Sequence, residues 1–162
     1  MVEFDLPASL QELLRPLTDL RPPMSAMPTL VGGGPPDAVA VACVEAIVGH
    51  HAITPALEAG LWLYVDELGR SHRVSQSIDD TTGSFWHGIM HRREGDFSNS
   101  HYWFRKVGDH PAMATIPGYE AHGFIDAVEA WSGAAAEDAE ALVAMQRREW
   151  VTLFRFGAEA GG

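Results

Sequence analysis

The sequence predicts an all-α fold, a single-domain bundle of five to seven helices with mostly antiparallel neighbours. Apolar residues recur at three- and four-residue spacing through most of the chain. Helix starts such as Asp37, Thr54-Pro55 and Asp96, and stops such as Gly49, Gly95 and Gly108, divide it into segments joined by short connections. Strand-like runs are few, and 162 residues suit one core, so one domain over residues 1–162 is expected.

The elements follow in order. Residues 7–20 form an amphipathic helix with Ser9 as N-cap, Leu10, Leu13, Leu14 and Leu17 inward, and Pro16 as a kink or end. The proline- and glycine-rich stretch 21–36 is a connector. Its Gly32-Gly33-Gly34 has no following Gly-Lys-Ser/Thr, so a phosphate-binding loop is not read there. Asp37 opens AVAVACVEAIVG, whose length and Gly49 stop favour a buried helix over a strand, with His50-His51 at its end. A long helix then runs from Thr54 to about Ile78, with Leu57, Leu61, Val65, Leu68, His72 and Ser75 on one face and Glu58 and Gln76 at its edge.

After a polar turn at 79–83, a short helix from Ser84 to about Arg93 places His87, His91 and Glu94 on one face. Gly95 ends it, and Asp96 or Ser98 caps the next, which stops at Gly108. Together the two make a hairpin over 84–107. A helix follows over 119–131, with Phe124, Ile125, Val128 and Trp131 inward. After a connector at 132–136, Glu137 or Asp138 starts a last helix that runs to about Phe156. In that helix Gln146 and Glu149 project from an apolar face made by Leu142, Met145, Trp150, Leu153 and Phe156. A carboxylate there is costly unless it is paired or bound to a metal.

The formal net charge of -11 argues against nucleic acid or an anionic membrane surface as the main partner. The single cysteine, Cys43, permits no internal disulfide. The start MVEFDLPASL has no basic segment leading into an apolar one, and no long apolar run follows. The expectation is a soluble, cytoplasmic protein with a small-molecule ligand. Its oligomeric state is left open.

Functional groups are densest from Gly83 to Pro111, which holds four of the eight histidines. Two imidazoles one helical turn apart, His87 and His91, suit a common metal ion, although H-x-x-x-H here lacks the glutamate of the metalloprotease motif. The connection from Ile78 to Ser84 folds the hairpin back so that His72 meets the His87/His91 face. The three are expected to converge, with Glu94, Glu58 or Glu149 completing the shell around zinc, nickel or iron. His122 reads as a surface histidine and a control for metal binding.

Three readings stay open. In the first, His72, His87, His91 and Glu94 hold a divalent transition metal and Glu149 or Glu58 acts as base in a metal-dependent hydrolase for a small molecule. In the second, Arg92, Arg93, Asn99, Tyr102, Arg105 and Gln146 clasp a small anionic or aromatic ligand without catalysis. In the third, these polar groups form only a buried hydrogen-bond network that fixes helix register.

The core WHGIMHRREGDFSNSHYWFR resembles an uncharacterised family of bacterial proteins with the pattern W-H-x-x-x-H-R-R-E-x-D-x-x-N-x-x-Y-W-F-R. The likeness extends to LWLYVDELGRSHRVSQSI before it and to Gln146, Glu149 and Trp150 near the end, more than half the chain. The resemblance implies a shared helical fold and site, and it implies no particular reaction.

Overall fold

The computed structural model describes residues 6–32, 34–132 and 136–161. Among them the chain forms eight α-helices: α1 (Ala8–Leu20), α2 (Ala38–His50), α3 (Pro55–Tyr64), α4 (Leu68–Ser75), α5 (Thr81–Arg93), α6 (Phe97–Val107), α7 (Ala121–Trp131) and α8 (Ala136–Ala160). Two 3-10 turns, Pro23–Ser25 and Pro111–Thr115, lie between them, and no strand occurs among the described residues. Gly33, most of the expected connector at 132–136 and the side chains of Glu137 and Asp138 lie outside the description.

The starts follow from side-chain caps that satisfy otherwise unpaired first-turn amides. Asp37 accepts from the Val39 and Ala40 N–H groups at 2.8 and 3.1 Å. Thr54 caps Leu57 N at 3.4 Å, and Asp96 caps Asn99 N at 3.1 Å. At α5 the cap is Asp80, which accepts from Gly83 N at 2.8 Å, so the helix begins three residues before Ser84. Ser9 caps nothing, because α1 starts at Ala8 after Pro7. Pro16 sits inside α1 without ending it.

The main correction concerns the segment 54–78, which is two helices and so raises the number to eight. At the end of α3 the Glu67 N–H reaches Trp62 O at 2.9 Å and the Asp66 N–H reaches Leu63 O at 3.1 Å. This is a Schellman stop, with Asp66 at φ +63° where glycine usually stands. The same device ends α5, where Asp96 N bonds His91 O, Gly95 N bonds Arg92 O, and Gly95 has φ +84°. The left-handed conformation is costly for an L residue, though least so for Asp and Asn. Arg93 offsets that cost by donating to Leu63 O at 2.8 Å and to the Asp66 carboxylate. The longest described helix is α8, with 25 residues.

After the break α4 folds back along α3. Ser71 Oγ donates to Ala59 O at 2.9 Å, and the Arg70 guanidinium lies 4.7 Å from the centroid of the Trp62 ring. Helix α5 is buried along almost its whole length, since the nine residues from Phe85 to Arg93, and Thr82 and Gly83 before them, face protein, with Thr81 exposed and Ser84 half-exposed. Its contact with α6 is close at Gly88, where an added Cβ would meet the Phe104 ring at 2.7 Å. Ser100 Oγ donates to Gly88 O at 2.7 Å across the same contact. Gly60 lets α3 approach Trp86 and Phe154, both of which would lie 2.9 Å from a Cβ there, and its carbonyl accepts from Trp150 Nε1 at 2.8 Å. Trp86, Trp150, Phe154 and Tyr64 thus tie α3, α5 and α8 into one core.

Candidate metal centre

Helix α5 carries His87 and His91 one turn apart, and the fold-back of α4 brings His72 against them. Ring centroids are separated by 4.7 Å for His72–His87, 5.5 Å for His72–His91 and 4.8 Å for His87–His91. One nitrogen from each ring lies within 4.8 Å of the other two. Two nitrogens on one tetrahedral zinc, with Zn–N bonds near 2.0–2.1 Å, stand about 3.4 Å apart. Shared coordination therefore needs the nitrogens to close by no more than about 1.4 Å.

The electrostatics suit neutral ligands. His87 is 3% exposed, lies parallel to the Trp103 indole at 3.7 Å between centroids, and has a buried Nδ1 with no hydrogen-bond partner. Burial first, then the neighbouring His91, His72 and Lys106, push its pKa down to about 3. A neutral imidazole is the form that binds a metal. His91 Nδ1 sits 2.6 Å from Glu94 Oε1. The carboxylate fixes the ring and directs Nε2 away from itself, as the outer partners of metal-bound histidines do. Glu94 and Asp96 also each bring an oxygen within 4.8 Å of a His91 nitrogen.

The two carboxylates assigned as bases from the sequence are placed elsewhere. Glu149 is fully buried and faces α5, but its Oε1 and Oε2 accept from Arg92 Nη2 and Nη1 at 2.7 and 3.0 Å, and Oε2 also accepts from Tyr119 OH at 2.6 Å. Burial and the adjacent carboxylate hold the Tyr119 hydroxyl well above the ordinary tyrosine range, so it stays a donor. The Phe124 ring covers the Arg92 guanidinium at 4.4 Å. Glu58 accepts from Trp62 Nε1 at 3.2 Å. Neither joins the three histidines within metal-ligand reach.

The proposed anion clasp is likewise dispersed. Arg92 is spent on Glu149, and Arg93 on Asp66 and Leu63 O. Gln146 Nε2 donates to Met27 O and Thr29 O at 3.1 and 3.0 Å, holding the 26–30 segment against α8. Asn99 bonds the Asp96 carboxylate that caps its own helix. Tyr102 and Arg105 are exposed on α6. Two buried arginines and a buried amide are thus engaged in structural bonds, with Arg92 Nε, Arg93 Nε and Gln146 Oε1 left without partners.

Comparison with family models, with curated proteins and with solved structures finds no match.

The centre is thus defined by its own geometry. Sequence spacing exposed His87, His91 and Glu94 because they share one face over about two helical turns. Nothing in the sequence marked Trp103 as the wall beside His87. Tyr119 and Asp66 carried no signal at all, since each meets its charged neighbour across the fold. His122, expected to serve as a control, is half-buried with its Nδ1 2.7 Å from His101 Nδ1 and so is engaged in a contact of its own. The exposed His50 and His51 are the proper controls for metal binding.

Proposed function

We propose that this protein binds a divalent transition metal through His72, His87 and His91, with Glu94 orienting His91, and that it is a metal-dependent hydrolase for a small molecule. The observation that carries the reading is the meeting of three imidazoles from two helices, one of which, His87, has a buried Nδ1 with no hydrogen-bond partner. A purely packed histidine would be expected to have that nitrogen satisfied. Three protein ligands leave one coordination position open, and an ion so held supplies an acidified water for hydrolysis. Nitrogen ligands accommodate zinc, nickel or iron.

The test is titration of untagged, chelator-stripped protein with Zn(II), followed by calorimetry, and with Co(II), whose visible spectrum reports coordination by nitrogen. One equivalent is expected to bind. His87→Ala is expected to abolish tight binding, whereas His50→Ala/His51→Ala leaves it intact. Equal binding by the wild type and the His72→Ala/His87→Ala pair sinks the metal reading and leaves the histidines as members of a packed polar network.

A further inference from the structure

A second group of titratable side chains lies away from this centre, between α6 and α7. His101 Nε2 is 2.9 Å from Asp126 Oδ1, and His101 Nδ1 is 2.7 Å from His122 Nδ1. The two ring planes differ by 1° and their centroids are 5.0 Å apart. A nitrogen contact so much shorter than the centroid separation places the rings edge to edge in one plane, the geometry of an in-line hydrogen bond.

The protons in this chain are ordered by chemistry. An ionised carboxylate only accepts, so His101 Nε2 carries a proton and donates it to Asp126. In neutral His101 the other nitrogen, Nδ1, is then a lone pair, and His122 Nδ1 must be the donor. Neutral His122 is left with a bare Nε2. His122 also lines a cleft of about 600 Å³, within the size range of small-molecule sites.

We propose that Asp126, His101 and His122 form a proton relay that makes His122 Nε2 the proton acceptor of a second small-molecule site in this cleft. A proton taken from a bound donor forms a new N–H bond at His122 Nε2. The Nδ1 proton of His122 moves to His101 Nδ1, and the positive charge comes to rest on His101 beside Asp126. His101 and Asp126 are positioning residues, and only His122 meets the ligand. The cleft also offers Phe104 and Met113 as apolar wall, with Asp109 and Glu120 against one arginine, Arg105. Carboxylates outnumber that cation, so the ligand class is a small molecule with a protonated amine or hydroxyl on an apolar body.

Long-range nitrogen–proton NMR of the full chain labelled with 15N-histidine reads the tautomers directly. The expected result is His122 protonated at Nδ1 and bare at Nε2, with His101 the reverse. Asp126→Ala is expected to release both rings into mixed tautomers while the backbone spectrum outside α6 and α7 stays unchanged. The opposite tautomer of His122 in the wild type overturns the relay. Titration with benzylamine and with benzoate, which share a shape and differ in charge, tests the ligand class. Benzylamine is expected to give saturable shifts at His122 and Phe104 that His122→Phe removes. Tighter binding of benzoate, or saturation by neither probe, overturns the proposed site. Neither outcome depends on metal at His72, His87 and His91.

Discussion

His91 and Arg92 are consecutive on α5, yet they enter opposite kinds of environment. The Arg92 side is a charge-matched salt bridge, with both terminal nitrogens bound to Glu149, Tyr119 bound to the same carboxylate, no exposure of either charged group and only Arg92 Nε without a partner. The His91 side gathers three imidazoles with one exposed carboxylate and leaves His87 Nδ1 without a bond. Matched charges hold α5 to α8 and offer little to a ligand. A buried, neutral His87 with an unfilled hydrogen-bonding position is suited to receive one. The difference teaches that density of functional groups in a sequence does not separate structural from ligand-binding residues. What separates them is whether the opposing helix already supplies a counter-group.

The largest effect should come from unbalancing the closed side. Glu149→Leu strands Arg92 in the core and is expected to destabilise the protein by about 3–5 kcal/mol in urea denaturation. The double replacement Arg92→Met/Glu149→Leu should recover much of that loss. If Glu149→Leu costs no more than the double variant, the ion pair does not join the helices as described.

On the open side, removing any one imidazole should lower metal affinity by about 100-fold or more, beyond the usual cost of losing an outer-shell group. Calorimetry on His72→Ala, His87→Ala and His91→Ala would measure this. A single histidine whose loss changed nothing would reduce the centre to two ligands.

The pH dependence of the chelator-treated protein should differ between the sides. Because burial holds the folded-state pKa of His87 below its ordinary 6.5, the unfolded chain takes up a proton first as the pH falls. The stability contributed by neutral His87 is complete above about pH 6.5 and is lost progressively toward pH 3. Between pH 7.5 and 5 this is about 2 kcal/mol of the total loss. His87→Leu should remove that component, so the wild-type and variant curves would converge as the pH falls. Parallel curves would mean that His87 is not held neutral by burial.

The smallest expected effect is that of Glu94→Gln, about tenfold in metal affinity with fold stability unchanged. The carboxylate is partly exposed and acts through His91, so its loss should loosen the ring without removing a ligand. A loss as large as that of His91→Ala would instead place Glu94 on the metal.

The two helix stops show what sequence by itself determined. Gly95 announces the end of α5, because glycine adopts the left-handed position of the stop without a Cβ penalty, and its φ is +84°. Asp37, Thr54 and Asp96 likewise announce helix starts through bonds made two or three residues away. The all-helical class, most boundaries and the shared face of His87, His91 and Glu94 were legible for the same reason, since each depends on groups within about two helical turns. The predicted approach of His72 rested on a folded-back connection and is met by the structure, although through a shorter α4 than expected.

Tertiary structure alone decided the rest. Asp66 ends α3 in the same left-handed conformation as Gly95, but its anchor is Arg93, 27 residues later, so the apolar pattern of 54–78 ran through the break unseen. Glu149 meets Arg92 across 57 positions, Tyr119 meets Glu149 across 30, and His101 meets Asp126 across 25. Helical periodicity fixes which face of a helix a side chain occupies. It does not fix which charge stands opposite, and that charge decides whether a buried polar residue is a strut or a site.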